Sequence, residues 1–322
     1  MIASDIIKRV REIQINTGRH VADVLAGQYE SVFKGGGIEF EEVRPYIPGD
    51  EIRSIDWNVT ARMGEPFVKR FVEERQLTLM LMADISASQF FGSVDRSKRE
   101  AVAELCALLA FSATYNDDKI GLTLFHGEIE QYIPPRKGQK HSLRVVRELL
   151  AQGEGNATAK PAPSKTKKGW LSFLRRRNRK FRSNRQSTHI AAAVEFLLRV
   201  SNRKTICFVV SDFQDANYLQ VLQAANRKHD VIAVMVTDPR ELELPDAGLV
   251  HLTDAETGEA VVVDTSNATV RKQYKEKSRQ RIARIERELR SSKIDFVQID
   301  CSRSIVDPLI QFFRMREQRR RR

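Results

Sequence analysis

Cysteine is scarce in this sequence, and so are the features that accompany export or membrane insertion. Three cysteines in 322 residues, Cys106, Cys207 and Cys301, lie far apart, each within or beside an apolar segment. That spacing excludes a disulfide framework or a zinc site and leaves them as small core residues. No stretch approaches the ~20 consecutive apolar residues of a membrane-crossing helix. The opening Met1-Ile2-Ala3-Ser4-Asp5 lacks the basic and then apolar blocks of a signal peptide, so the expected location is the cytoplasm. The six histidines, His20, His126, His141, His189, His229 and His251, show no metal-binding or triad spacing, and no activated nucleophile accompanies them. The expectation is a protein that is not an enzyme.

Acid is also in deficit, with 42 Asp and Glu against 54 Lys and Arg, a net charge of +12. The excess is localised. Residues 160 to 187 hold eleven Lys and Arg and no acid, and the tail from Arg314 to Arg322 holds six Arg and one Glu. Without these two segments the remainder carries −4, so the body of the protein is mildly acidic. Such runs are expected to be solvated, flexible appendages with weak, salt-sensitive attraction to anionic membrane or nucleic acid. With no recognition fold or aromatic stacking platform, that attraction is auxiliary.

Apolar strands and amphipathic helices alternate along the rest of the chain. Strands are expected over Gln76 to Asp84, Lys119 to Phe125, Thr205 to Val210, Val231 to Val236 and Phe296 to Ile299. Ile129 to Ile133 would pair with the second as a hairpin, and Val250 to Val263 would form another around Glu256-Thr257-Gly258. Helices are expected over Ser97 to Tyr115, Ser142 to Leu150, the segment after Thr188 to Ser201, Tyr218 to Lys228, Thr269 to Ser292 and Ile305 to Phe313. The pattern implies an α/β fold with a doubly wound, mostly parallel sheet over residues 76–313. It would be preceded by a small, partly β module over 1–75, interrupted by the basic insertion at about 152–187, and followed by the Arg-rich tail 314–322. Within the insertion, Trp170 to Leu174 is an apolar island read as part of an unstructured surface segment. Gly35-Gly36-Gly37 lacks the following Gly-Lys-Ser/Thr of a P-loop and reads as a flexible turn.

The residues with most chemistry follow the first strand of that sheet. Asp84, Ser86 and Ser88, written D-I-S-A-S, place one carboxylate and two hydroxyls on alternate positions at a strand's carboxyl end. Open parallel sheets bind ligands at that edge, and hard oxygen donors there suit Mg²⁺. Thr188, before a helix, and Asp212, closing another apolar strand, can converge on the same edge. Each alone also suits an ordinary cap or turn; together they form an incomplete octahedron of oxygens. Mg²⁺ or Mn²⁺ is the expected ion.

This D-x-S-x-S, later Thr and later S-D arrangement resembles the metal-ion-dependent adhesion site of von Willebrand factor A domains. Upstream, Arg44-Pro45-Tyr46-Ile47-Pro48-Gly49-Asp50-Glu51-Ile52-Arg53-Ser54-Ile55-Asp56-Trp57, then Ala61-Arg62 and Phe67-Val68-Lys69-Arg70, resembles the signature of the bacterial "domain of unknown function 58" family. The resemblance implies a von Willebrand factor A-like fold behind a family-specific module. It also implies an adaptor or co-chaperone role with MoxR-type AAA+ ATPases and other von Willebrand factor A proteins. The signature residues Arg44, Tyr46, Gly49, Asp50, Arg53, Asp56, Trp57 and Arg62 would be structural or partner-binding. Arg44, Arg53 and Arg62 interleave with Asp50, Glu51 and Asp56 as an expected charge network, with Trp57 anchoring the module by packing. A Mg²⁺-dependent hydrolase using the same carboxylates is the alternative class.

Overall fold

A computed structural model of the chain describes residues 39–72, 76–151, 188–215, 217–253 and 259–321. The glycine triplet, the basic insertion and the Glu256-Thr257-Gly258 turn lie outside the described residues.

The central sheet has six strands: β3 (Thr78–Asp84), β4 (Lys119–Phe125), β5 (Ile129–Arg136), β6 (Ile206–Ser211), β7 (Asp230–Thr237) and β10 (Asp295–Asp300). Their order is β10-β7-β6-β3-β4-β5, all parallel except β5, which pairs antiparallel with β4 at one edge. β3, β4, β6 and β7 are almost entirely buried, which is why their sequences are unbroken apolar runs instead of alternating ones.

Successive side chains nevertheless diverge. Leu79, Leu81 and Ala83 enter one core cluster and Met80 and Met82 the other. The first face is covered by α2 (Lys98–Tyr115), α3 (Gln139–Ala151) and α8 (Val306–Arg321). The second is covered by α4 (Ile190–Val200), α5 (Leu219–Lys228) and α7 (Ala268–Ser291). The result is an α/β architecture with a mostly parallel sheet between helical layers. Two smaller ribbons stand apart. One pairs β1 (Glu39–Pro45) with β2 (Phe67–Val72), the other β8 (Leu249–Thr253) with β9 (Ala260–Asp264). No helix among the described residues is long and apolar enough to cross a membrane. The three cysteines are buried and unbridged in the two cores, and burial pushes the Cys106 thiol up to about 12.

Several elements outrun their expected bounds. β5 extends through Pro134 and Pro135, because an outer strand tolerates residues that cannot donate a ladder hydrogen bond. The final helix continues to Arg321, so the stretch expected as a flexible tail is helical at least that far. Arg316 bonds Asp230 at 2.6 Å and Asp295 at 2.8 Å, and Arg319 reaches Asp295 at 2.8 Å. Part of the tail's charge is therefore consumed at the sheet's β7–β10 end.

The N-terminal module corrects two expectations. Arg44 does pair with Asp50, in a two-pronged bond with both distances 2.7 Å, and holds the Asp50 carboxyl below its usual range. Asp50 also accepts the Ile47 N–H at 2.9 Å, and Gly49, at φ 112°, supplies the left-handed turn residue. Asp56 caps α1 (Trp57–Met63), accepting from the Asn58 and Val59 N–H groups. Arg53 and Arg62 are exposed and take no part in an ion pair among the described residues. Trp57 is not an anchor: it is 66% exposed. Among the module residues whose burial is described, only Val68 is buried. Tyr46 is half-buried and ties its backbone N–H to Pro66 O at 2.8 Å.

One core group has a clear pH consequence. His229, ending α5, is buried with neither ring nitrogen hydrogen-bonded among the described residues. Burial, aided by the Lys228 charge, lowers its pKa, so the folded state favours the neutral ring. The unfolded chain then binds the extra proton first as pH falls below the ordinary value. Stability is full above that value and drains away in acid, at no more than about 1.4 kcal/mol per pH unit. His229→Leu is expected to flatten this acid limb in urea titrations between pH 7 and 5. An unchanged limb would show that other groups carry it.

Candidate metal site at the carboxyl edge of the sheet

From β3 the chain passes through α2 to β4, on one side; from β6 it passes through α5 to β7, on the other. β3 and β6 are neighbours, with Ala83 opposite Val210, so the chain's direction of winding reverses between them. At such a reversal the flanking loops part and leave a crevice at the strands' carboxyl ends. Asp84 and Asp212 lie on either side of it.

The three β3-loop residues are buried. Asp84 Oδ1 accepts the Ser86 N–H at 2.8 Å, which turns the chain into a short 3-10 helix (Ala87–Phe90). The Ser86 and Ser88 hydroxyls lie 3.0 Å apart. On the other side, Ser211 donates its hydroxyl to Asp84 Oδ2 at 2.7 Å, and Ser88 hydrogen-bonds the Asp212 carboxylate. Thr188 Oγ1 is 3.4 Å from Asp84 Oδ2. Its hydroxyl does not cap the helix it precedes. The Ile190 N–H is taken at 2.8 Å by Asp215, from the loop after β6, and the helix's N-cap position falls to exposed His189. Asp215 thereby ties the Asp212 loop to the segment carrying Thr188. All five sequence-predicted residues, Asp84, Ser86, Ser88, Thr188 and Asp212, converge in one buried cluster.

Three partners were not anticipated. Ser211 immediately precedes Asp212 but reads from sequence as the last apolar-strand position. Lys98, the first residue of α2, is fully buried, its ammonium 2.9 Å from Asp212 Oδ2 and 2.9 Å from Glu241 Oε1. Glu241 belongs to the single turn α6 (Pro239–Leu242) beyond β7, where it completes a capping box with Asp238. One signal for Lys98 was available. A lysine just after a Ser97 cap, with Glu100 completing that box, puts positive charge at a helix N-terminus, where it is disfavoured without a carboxylate partner.

The charges divide unequally. Burial, and then the Asp212 charge, push the Asp84 carboxyl up to about 7, against the hydrogen bonds from Ser211 and Ser86. Burial would also raise Asp212, but the Lys98 charge and hydrogen bond, with Ser88 and the Gln214 N–H, hold it below its ordinary value. Lys98, despite burial, is held above its ordinary value by Asp212 and Glu241. Asp212 and Lys98 are thus an ionised pair.

The donor set tests whether an ion suits the site. Among the described residues no cluster of three or more His, Cys, Asp or Glu stands in metal-binding array, so two carboxylates and three hydroxyls would have to suffice. That all-oxygen, low-carboxylate set fits Mg²⁺ or Mn²⁺, which retain waters, and not zinc or copper. The residues therefore fit the ion.

The sequence profile described as "Protein of unknown function DUF58" matches residues 42–284, three quarters of the chain. The chain belongs to the DUF58 family. The match spans the signature, five of the six central strands, the β8–β9 ribbon and most of α7. Relatives include the uncharacterized protein Rv1480 of Mycobacterium tuberculosis, 30% identical over 250 residues, covering 77% of this chain and 70% of that one. The uncharacterized protein YeaD of Bacillus subtilis is 27% identical over 136 residues, covering 42% and 31% respectively. Among solved structures, the conserved hypothetical protein BatB of Bacteroides thetaiotaomicron aligns over 75% of this chain and 99% of its own. Its identity is 17% and its TM-score 0.42.

Proposed function

We propose that this DUF58 chain is a metal-dependent protein-recognition module: a von Willebrand factor A-like domain with an adhesion-type metal site, acting in the cytoplasm. Its proposed role is that of an adaptor or co-chaperone with a MoxR-type AAA+ ATPase and other von Willebrand factor A proteins. Binding, not turnover, is the proposed activity. The observation that carries the reading is the convergence of Asp84, Ser86, Ser88, Thr188 and Asp212 at the winding reversal of the sheet.

In this reading Asp84, Ser86, Ser88, Thr188 and Asp212 hold Mg²⁺ or Mn²⁺, Asp212 being joined to the cluster through its hydrogen bond from Ser88. The bound ion would supply an open coordination position for a carboxylate from the partner. Ser211 keeps the Asp84 carboxylate aimed, Asp215 keeps Thr188 in reach, and burial excludes bulk water from competing donors. Among the described histidines, His126 pairs with Glu130, and His189, beside Thr188, is exposed.

The test uses the purified chain and the purified MoxR-type ATPase from the same source. Mg²⁺-dependent capture is expected, lost in EDTA and in Asp84→Ala, with the variant's thermal melt little changed. Undiminished capture under both conditions would remove the ion from the mechanism.

A further inference from the structure

The cluster contains a cation of its own. The Lys98 ammonium is shut off from solvent at the start of α2, where the helix dipole disfavours it and where removing it from water costs several kcal/mol. It is gripped from two sides, by Asp212 Oδ2 and by Glu241 Oε1, each at 2.9 Å. Neither grip is loose. Glu241 also accepts the Asp238 N–H at 3.2 Å, and Asp238 in turn accepts the Ser93 N–H at 2.8 Å and the Ser93 hydroxyl. Asp212 is steadied from its other side by Ser88 and by the Gln214 N–H and side-chain amide.

We propose that Lys98 is a tethered cation that competes with a divalent ion for the Asp212 carboxylate and so lowers the cluster's affinity for that ion. The inference rests on the metal-site reading above. An ammonium and a divalent ion drawing on one carboxylate repel each other, and each weakens the other's hold in a poorly solvated site. Glu241 gives the ammonium somewhere to remain when Asp212 turns toward the ion. The carboxylates stay partly balanced when no divalent ion is present, and ion binding becomes an exchange of partners instead of the filling of a bare anionic hole.

Calorimetric titration with Mn²⁺ of the full chain and its variants tests this. Lys98→Met and Lys98→Gln are expected to bind Mn²⁺ ~10-fold or more tightly than the natural chain, the scale of about one neutralised charge nearby. Both should melt lower without the ion and gain more from it. Glu241→Gln confines the ammonium to Asp212 and is expected to weaken Mn²⁺ binding ~3-fold or more. Asp84→Ala should bind none. If the natural chain binds Mn²⁺ and the Lys98 variants bind it no more tightly, the competition is wrong while the metal site stands. If neither the natural chain nor any variant binds, the metal site itself is wrong and the inference falls with it. Should both Lys98 variants fail to fold, Glu241→Gln decides, and an unchanged or tighter affinity overturns the proposal.

Discussion

Asp212→Ala is expected to lower the stability of the metal-free protein by about 3–5 kcal/mol, read from urea denaturation. The size follows from what remains. Truncation strands the Lys98 ammonium, 0% exposed, with Glu241 as its remaining carboxylate contact and no route to water. Breaking one side of a buried pair costs more than the pair is worth, because the surviving charge keeps its full desolvation penalty. The companion variant Lys98→Met with Asp212→Leu removes both charges and should recover most of the loss. A single-variant loss below about 1 kcal/mol would mean that the lysine swings out to solvent and that the pair does not stiffen the site.

Removing the arginine-rich end is expected to have the next largest effect. Deletion of residues 314–322 should cost about 2–4 kcal/mol, and Arg316→Ala alone about half of that. Arg316 lies in α8 and bridges Asp230, opening β7, and Asp295, opening β10. Both carboxylates sit at the amino ends of adjacent parallel strands and are only about a quarter exposed or less, so losing the guanidinium leaves two acids facing each other. Charge-assisted bonds to a planar guanidinium are among the stronger polar contacts available there. A deletion that leaves the denaturation midpoint unchanged would return this segment to the status of a solvated appendage.

The arginine-rich end also marks where sequence reasoning stops. A run of like charge near a terminus reads as solvated because its neutralising partners are tens of residues away, and only the sheet brings Asp230 and Asp295 beneath it. Lys98 was hidden for the same reason: its role depends on Asp212 and Glu241, each more than a hundred positions downstream. By contrast β6 was legible, because a strand buried on both faces must be apolar throughout, and Ile206 to Val210 is. The five oxygen-bearing residues were legible because strand ends and helix starts in an alternating sheet converge at one edge, so local placement sufficed. Trp57 misled because a large indole ordinarily signals a core, whereas here it is exposed. Ile47, Ile52 and Met63, from the same stretch of sequence, are exposed as well.

The cap that Asp215 places on the Ile190 N–H also bears on what sets the position of Thr188. It fastens the start of α4 from the far side of the crevice, downstream of residue 187, so the geometry around Thr188 is fixed by the β6 loop.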